Sequence, residues 1–240
     1  MDFIVANLPR FLEGAWMTIQ LALFSCSCGL LMALPIALAR LSRKRLLSSA
    51  ATGYVFFFRG TPLLAQIFLI YYGSGQFRHE LGALGLWTFF RDPWFCALLS
   101  LTLNTAAYSS EILRGAIQAI PKGEIEAAKA LGLNRYLLLR LVILPRAIRI
   151  GWPAYTNEVV YQIQATSLVS IITIMDITGV ARTVGARDFT FFEAFGLAAL
   201  LYLILVYGFI FLAGRIEKRL GAHLIRPAAV NKPKLAGNIR

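Results

Sequence analysis

The sequence predicts an all-α integral membrane protein with five membrane-spanning helices, its N-terminus outside and its C-terminus inside. Three observations carry this. Of the 240 residues, 58% are hydrophobic and 15% charged, and the mean hydropathy is +0.66, too apolar for a soluble domain of this size. Several apolar runs reach the roughly 20 residues that cross a hydrocarbon core of about 30 Å, and none alternates like a barrel strand. Finally, 18 of the 24 Lys and Arg fall in residues 40–49, 111–150 and 215–240, whereas the segments on the other side hold only Arg10, Arg78, Arg91, Arg182 and Arg187. Basic residues collect in cytoplasmic loops, so this asymmetry orients the chain. It also accounts for the net charge of +12 through topology and anionic lipid, and argues against a nucleic-acid partner.

Residues 1–14 form a short mixed segment with a break at Pro9, and no basic leader precedes the first apolar run, so that run is expected to be retained. The first span covers 16–39 and tolerates Pro35, because neighbouring helices in lipid can satisfy the freed backbone groups. A basic collar of Arg40, Arg43, Lys44 and Arg45 closes it on the inside. The second span, 54–72, carries Arg59, Gly60, Thr61, Pro62 and Gln66, with Gly60 and Pro62 set to bend the helix. Arg59 within this run either snorkels to the basic side, the favoured reading, or faces a polar cavity. An outside loop at 76–93 holds Trp87, Phe89 and Phe90, an aromatic belt continued by Trp94. The third span, 94–113, contains small and polar residues from Asn104 to Glu111 suited to close helix packing. The fourth, 151–174, is followed by an outside loop at 176–188, and the fifth, 191–213, by a basic tail at 215–240 whose Pro227 and Pro233 suggest disorder. The transmembrane domain is thus 15–214, with its main cytoplasmic loop at about 116–149.

That loop is the most informative polar stretch. Pro121 and Gly123 end the preceding helix, and residues 124–131 offer helix formers with acids in the first turn, where they complement the helix dipole. Gly132 is placed to cap this helix, and Asn134 to start a second short one that meets Pro145. The result is two small helices joined by a glycine elbow.

The spacing Glu126-Ala127-Ala128, three residues, Gly132, nine residues, then Val142-Ile143-Leu144-Pro145 resembles the EAA loop of membrane subunits of ATP-binding-cassette importers, with Val142 where that family usually has isoleucine. The strings Arg59-Gly60-Thr61-Pro62-Leu63-Leu64 and Asn104 to Gly123 resemble the polar amino acid branch. The stretch 165–183 is similar to the M-type subunit of histidine, lysine, arginine, ornithine or opine systems. The likeness covers about 14–226. It implies a type I importer permease fold, a homologous second permease subunit, two ATPase subunits and a periplasmic solute-binding protein, with ATP and Mg on the ATPase and no cofactor on this chain. It further implies a cytoplasmic coupling helix in which Glu126, Ala127, Ala128, Gly132, Leu144 and Pro145 engage the ATPase. The alanines leave a small face for close approach, and Glu126 can find a basic partner.

No phosphate-cradling glycine loop, zinc helix or serine elbow occurs, and His79 and His223 have no partner constellation, so no catalytic or metal site is expected. Cys26, Cys28 and Cys96 lie in apolar runs and are read as small core residues. Candidates for a substrate path are the polar groups within spans. Glu158, Gln162 and Thr166 form one helical stripe, with Asn157, Tyr161 and Gln164 on the adjacent face, and Thr61 and Gln66 are added from the second span. A carboxylate with amides suits a cationic or zwitterionic solute; alternatively the stripe packs against a sister subunit. An ion-coupled secondary transporter of amino acids, or a membrane scaffold recruiting a cytoplasmic protein, would also accommodate this sequence.

Overall fold

The computed structural model describes residues 2–221, so the tail beyond, with Pro227 and Pro233, lies outside the described residues. Everything described is helix or short connection. The first helix, α1 (Asp2–Arg40), runs unbroken through both Pro9 and Pro35. The expected break at Pro9 is therefore absent. A buried Phe11 and Ala15 tie this early part of α1 to a core shared with later helices, and that packing outweighs the single hydrogen bond a proline removes.

The second predicted span is two helices. α2 (Arg45–Gly60) and α3 (Leu63–Ser74) meet at Thr61 and Pro62 with a bend of 102°. Pro62 cannot donate, and Gln66 and Thr61 supply what the break leaves unmet. Gln66 Nε2 donates to Phe58 O at 2.9 Å, Thr61 O at 3.1 Å and Thr61 Oγ1 at 2.8 Å, and Thr61 Oγ1 donates to Phe57 O at 2.8 Å. The region expected as an outside loop then winds through a 3₁₀ turn and two short helices, α4 (Arg78–Ala83) and α5 (Trp87–Phe90). Asp92 caps α6 (Pro93–Gln118), accepting from Trp94 N.

Helix α6 is the hub. It packs along α1, where Gly29 is required: a Cβ there would meet Thr105 Cγ2 at 2.4 Å and Ala106 N at 3.3 Å. Leu21, Leu63, Ile67, Leu101, Val169 and Ile172 form the central cluster linking α1, α3 and α6 to the chain after residue 165. Beyond α6 come α7 (Lys122–Ala130) and the single turn α8 (Arg135–Leu137), the latter capped by Asn134 Oδ1 accepting from Leu137 N at 2.9 Å.

The second small helix does not end at Pro145. The chain continues through a π-helical segment, Leu138–Ile143, into α9 (Leu144–Ala165), so the fourth long helix begins earlier than residue 151. Leu144 N donates to Leu139 O, five residues back, and this wider turn gives a proline room that a tight α-turn would deny. After a 3₁₀ segment, Thr166–Ile172, residues 177–188 form α10 (Ile177–Asp188) and not the expected loop. Asp176 caps it from Gly179 N at 2.9 Å, and Ile177, Val180, Ala181 and Val184 bury one helical stripe. The last helix, α11 (Phe191–Gly221), begins where predicted but continues past residue 213.

By length and composition α1 and α11 can each cross a membrane, and two bent pairs reach that measure jointly: α2 with the chain from α3 to α4, and the run from α8 through residue 172 with α10.

Candidate functional site

Two regions carry functional side chains. The first is the elbow between α6 and α9. Its own core is Ala116, Ile120 and Ala147, flanked by Ile117, Ile125, Ile143 and Ile150, and Arg146 Nη2 reaches Glu124 Oε1 at 2.8 Å to clamp α7 against the start of α9. Gly132 has φ +80°, a conformation costly for a side-chain-bearing residue by about 1–2 kcal/mol, so the glycine is required by the turn.

Around this turn the apolar side chains Leu131, Tyr136 and Leu141 are 80%, 65% and 59% exposed among the described residues. Glu126 and Ala127 are exposed, and Gly132 and Pro145 are exposed as well, while Leu144 is half-buried. Ala128 departs from expectation: it is buried against the elbow, and its carbonyl accepts from Leu133 N at 3.2 Å. The small face open to a partner is therefore that of Ala127 alone. No group of three or more metal-ligating side chains is found among the described residues.

The second region lies where α2, α6 and α9 face outward together. Tyr108 on α6 and Tyr161 on α9 approach with ring centroids 6.2 Å apart, and Arg59 Cζ sits 5.0 Å above the Tyr108 ring. Arg59 thus faces a cleft that also holds Arg40 of the basic collar. The helix break at Thr61 leaves Arg59 at the end of α2, and the guanidinium faces a cleft of about 360 Å³ that it lines with Arg40, Thr52 and Tyr108. Asn157, Tyr161 and Gln164 form the exposed face of α9 here. Glu158 is buried at their edge, its Oε1 accepting from Thr105 Oγ1 at 2.9 Å, with no described side chain hydrogen-bonded to its second oxygen.

The remaining predicted path residues fall elsewhere. Gln162 is fully buried, donating to Ser25 Oγ at 2.9 Å and Leu101 O at 3.1 Å, and Thr166 is buried with its hydroxyl on Ile163 O. Within this chain Gln162 bolts α9 to α1 and α6. Gln66, likewise buried, accepts from Asn104 Nδ2 at 3.0 Å and serves the helix break, as does Thr61. Cys28 is exposed, unlike the buried Cys26 and Cys96, so it is not a core residue.

Sequence reasoning missed the part of Tyr108, although its string was noted, because the cation that covers its ring comes from a residue 49 positions away. It also missed the ion pairs of Glu111 with Arg40 and Arg114, the first of which joins the C-terminal ends of α1 and α6.

A family model described as "Binding-protein-dependent transport system inner membrane component" matches residues 27–222. The chain is 44% identical over 236 residues to the nopaline transport system permease protein of Agrobacterium fabrum, with 98% of each chain covered. It is 39% identical over 218 residues to the histidine/lysine/arginine/ornithine transport system permease protein of Escherichia coli, with 91% of each covered. Among solved structures it is similar to a chain of an amino acid ABC transporter with histidines: 32% identity, TM-score 0.80, 90% of this chain and 96% of that one covered.

Proposed function

From the premise that the chain belongs to the family of binding-protein-dependent transport system inner membrane components, we propose that it is a transmembrane subunit of an ATP-driven importer of polar, basic amino acids or opines. The observation that carries this reading is the elbow. A rigid cytoplasmic knob with an uncovered apolar surface around Gly132 is what a subunit needs to take up the motion of a separate ATPase.

In this reading ATP and Mg bind the ATPase chains, two per complex, and this chain pairs with a homologous permease while a periplasmic receptor delivers solute. Family membership favours this over an ion-coupled secondary transporter. Length and apolarity support up to four crossings, α1, α11 and the two bent pairs, and the five-span reading adds α6, which does not meet that measure by itself, with the basic collar and elbow inside.

The solute path is assigned to the outward face of Arg59, Tyr108, Asn157, Tyr161 and Glu158. A substrate with both a carboxylate and a cationic group finds there a guanidinium over the Tyr108 ring and the Glu158 carboxylate held by Thr105. Closure of the ATPase dimer pushes the elbow, and α6 and α9, which leave it on either side, shift the equilibrium between inward and outward openings. Purification tests the assembly. A complex of this chain with an ATPase and a second permease, importing arginine or an opine into vesicles only with ATP and receptor, is expected; ATP-independent uptake by the chain alone refutes the proposal.

A further inference from the structure

Helix α9 has two faces of opposite character. Asn157 and Tyr161 each lie about 160° around the helix from Val159, and it is Val159, with Trp152, Tyr155 and Ile163, that lines a groove of about 530 Å³ on the other side. The groove's remaining walls are α1 from Thr18 to Leu30 and α11 from Ile204 to Leu212, and they are almost wholly apolar. Thr18 to Leu30 spans roughly 18 Å of helix, close to the depth of one leaflet of a core about 30 Å thick. At Gly208 the wall is cut back, with no atom within 4 Å of where a Cβ would stand.

The inner end of this groove is cationic. Trp152 Nε1 donates to Ala213 O at 3.3 Å, which brings α9 and α11 level at this depth. One turn further toward the cytoplasm, Arg149 follows Trp152 on α9, and Arg215 follows Leu212 on α11. Both arginines are exposed, neither has an ion-pair partner among the described residues, and Arg215 is held over the Phe211 ring with Cζ 4.3 Å from its centroid. Lys218 and Arg219 fall on the same side of α11 as Arg215, whereas Glu217 lies about 160° away from it.

We propose that the groove between α1, α9 and α11 binds an acyl chain of an anionic inner-leaflet phospholipid, whose headgroup phosphate is held by Arg149 and Arg215. A neutral lipid would fill the groove equally well, so the arginines supply the headgroup preference. The chain fills an apolar notch that side chains leave open, and Gly208 provides the depth. Because this face is opposite the one assigned to solute, the site does not depend on what the subunit transports.

The full transporter complex, exchanged into micelles with equal amounts of phosphatidylglycerol and phosphatidylcholine, would be examined by native mass spectrometry. The parent is expected to retain phosphatidylglycerol in preference. Gly208→Phe should lose one bound lipid per copy of this chain. The double variant Arg149→Gln, Arg215→Gln, which alters only exposed side chains, should keep a lipid but lose the preference, about fivefold per arginine at ~1 kcal/mol each. Equal retention of both lipids by the parent, an undiminished lipid count in Gly208→Phe, or an unchanged preference in the double variant would overturn the proposal.

Discussion

The elbow and the outward face of α9 both leave polar and aromatic side chains uncovered, yet they are built differently. At the elbow, the geometry is held by local devices: a left-handed Gly132, the Asn134 cap, a small isoleucine-rich core and the Glu124–Arg146 pair. At the outward face, it is held at a distance. Glu158 is fixed by Thr105 across 53 residues, and Gln162 next to it by Ser25 across 137. One region is a knob whose shape is written within residues 116–150, and the other exists only once three helices have packed. In the proposed coupling, force applied at the first reaches the second through α6 and α9 themselves.

If this contrast holds, the largest effect is expected at the elbow turn. Gly132→Asp puts a charged side chain at φ +80° beside the exposed Leu131. Uptake should fall by more than tenfold while the subunit stays in the membrane; receptor-stimulated ATP hydrolysis persisting at the parental rate would show that the elbow is no handle. Glu126→Lys, beside it and exposed, should uncouple in the same direction.

Next in size is Glu158→Gln. It removes the carboxylate but keeps the Thr105 contact, so import of cationic solutes should drop by about tenfold, roughly 1.4 kcal/mol, with assembly unaltered. Equal uptake by mutant and parent vesicles would take Glu158 out of the path. Gln162→Leu sharpens the comparison from the other side. It strands Ser25 and the Leu101 carbonyl in a buried position, at a cost of about 1–3 kcal/mol, which thermal unfolding should report as a lowered Tm without altered solute preference. Smallest should be Arg146→Gln. That pair is partly exposed, so at most about 1 kcal/mol is lost, and uptake should change less than twofold.

The same division governs what could be read from the chain alone. Elbow features follow from residue types that act on their nearest neighbours, and both caps stand where Gly132 and Asn134 placed them. Gly60 and Pro62 announced a bend, but its size of 102° depends on Gln66 and Asn104 arriving to satisfy the Phe58 carbonyl. Helix α10 reads as a loop because its glycines, threonines and arginines dilute the apolar signal; the Asp176 cap and the spacing of Ile177, Val180, Ala181 and Val184 are the cues to it. Periodicity separated Glu158, Gln162 and Thr166 from Asn157 and Tyr161 correctly. Which of the two faces would be buried was decided by α1 and α6, through Ser25 and the Leu101 carbonyl, and no local pattern on α9 contains that.

The elbow's role as the point of contact with an ATPase can be tested directly by disulfide cross-linking in the assembled complex, after Cys26, Cys28 and Cys96 have been replaced. Single cysteines at Ala127 and Ala128 would be paired with cysteines along the groove of the copurified ATPase, with and without ATP. The account predicts nucleotide-dependent cross-links at 127, which is exposed, and few or none at 128, which is turned into the elbow. No cross-link at 127 in any nucleotide state would contradict it.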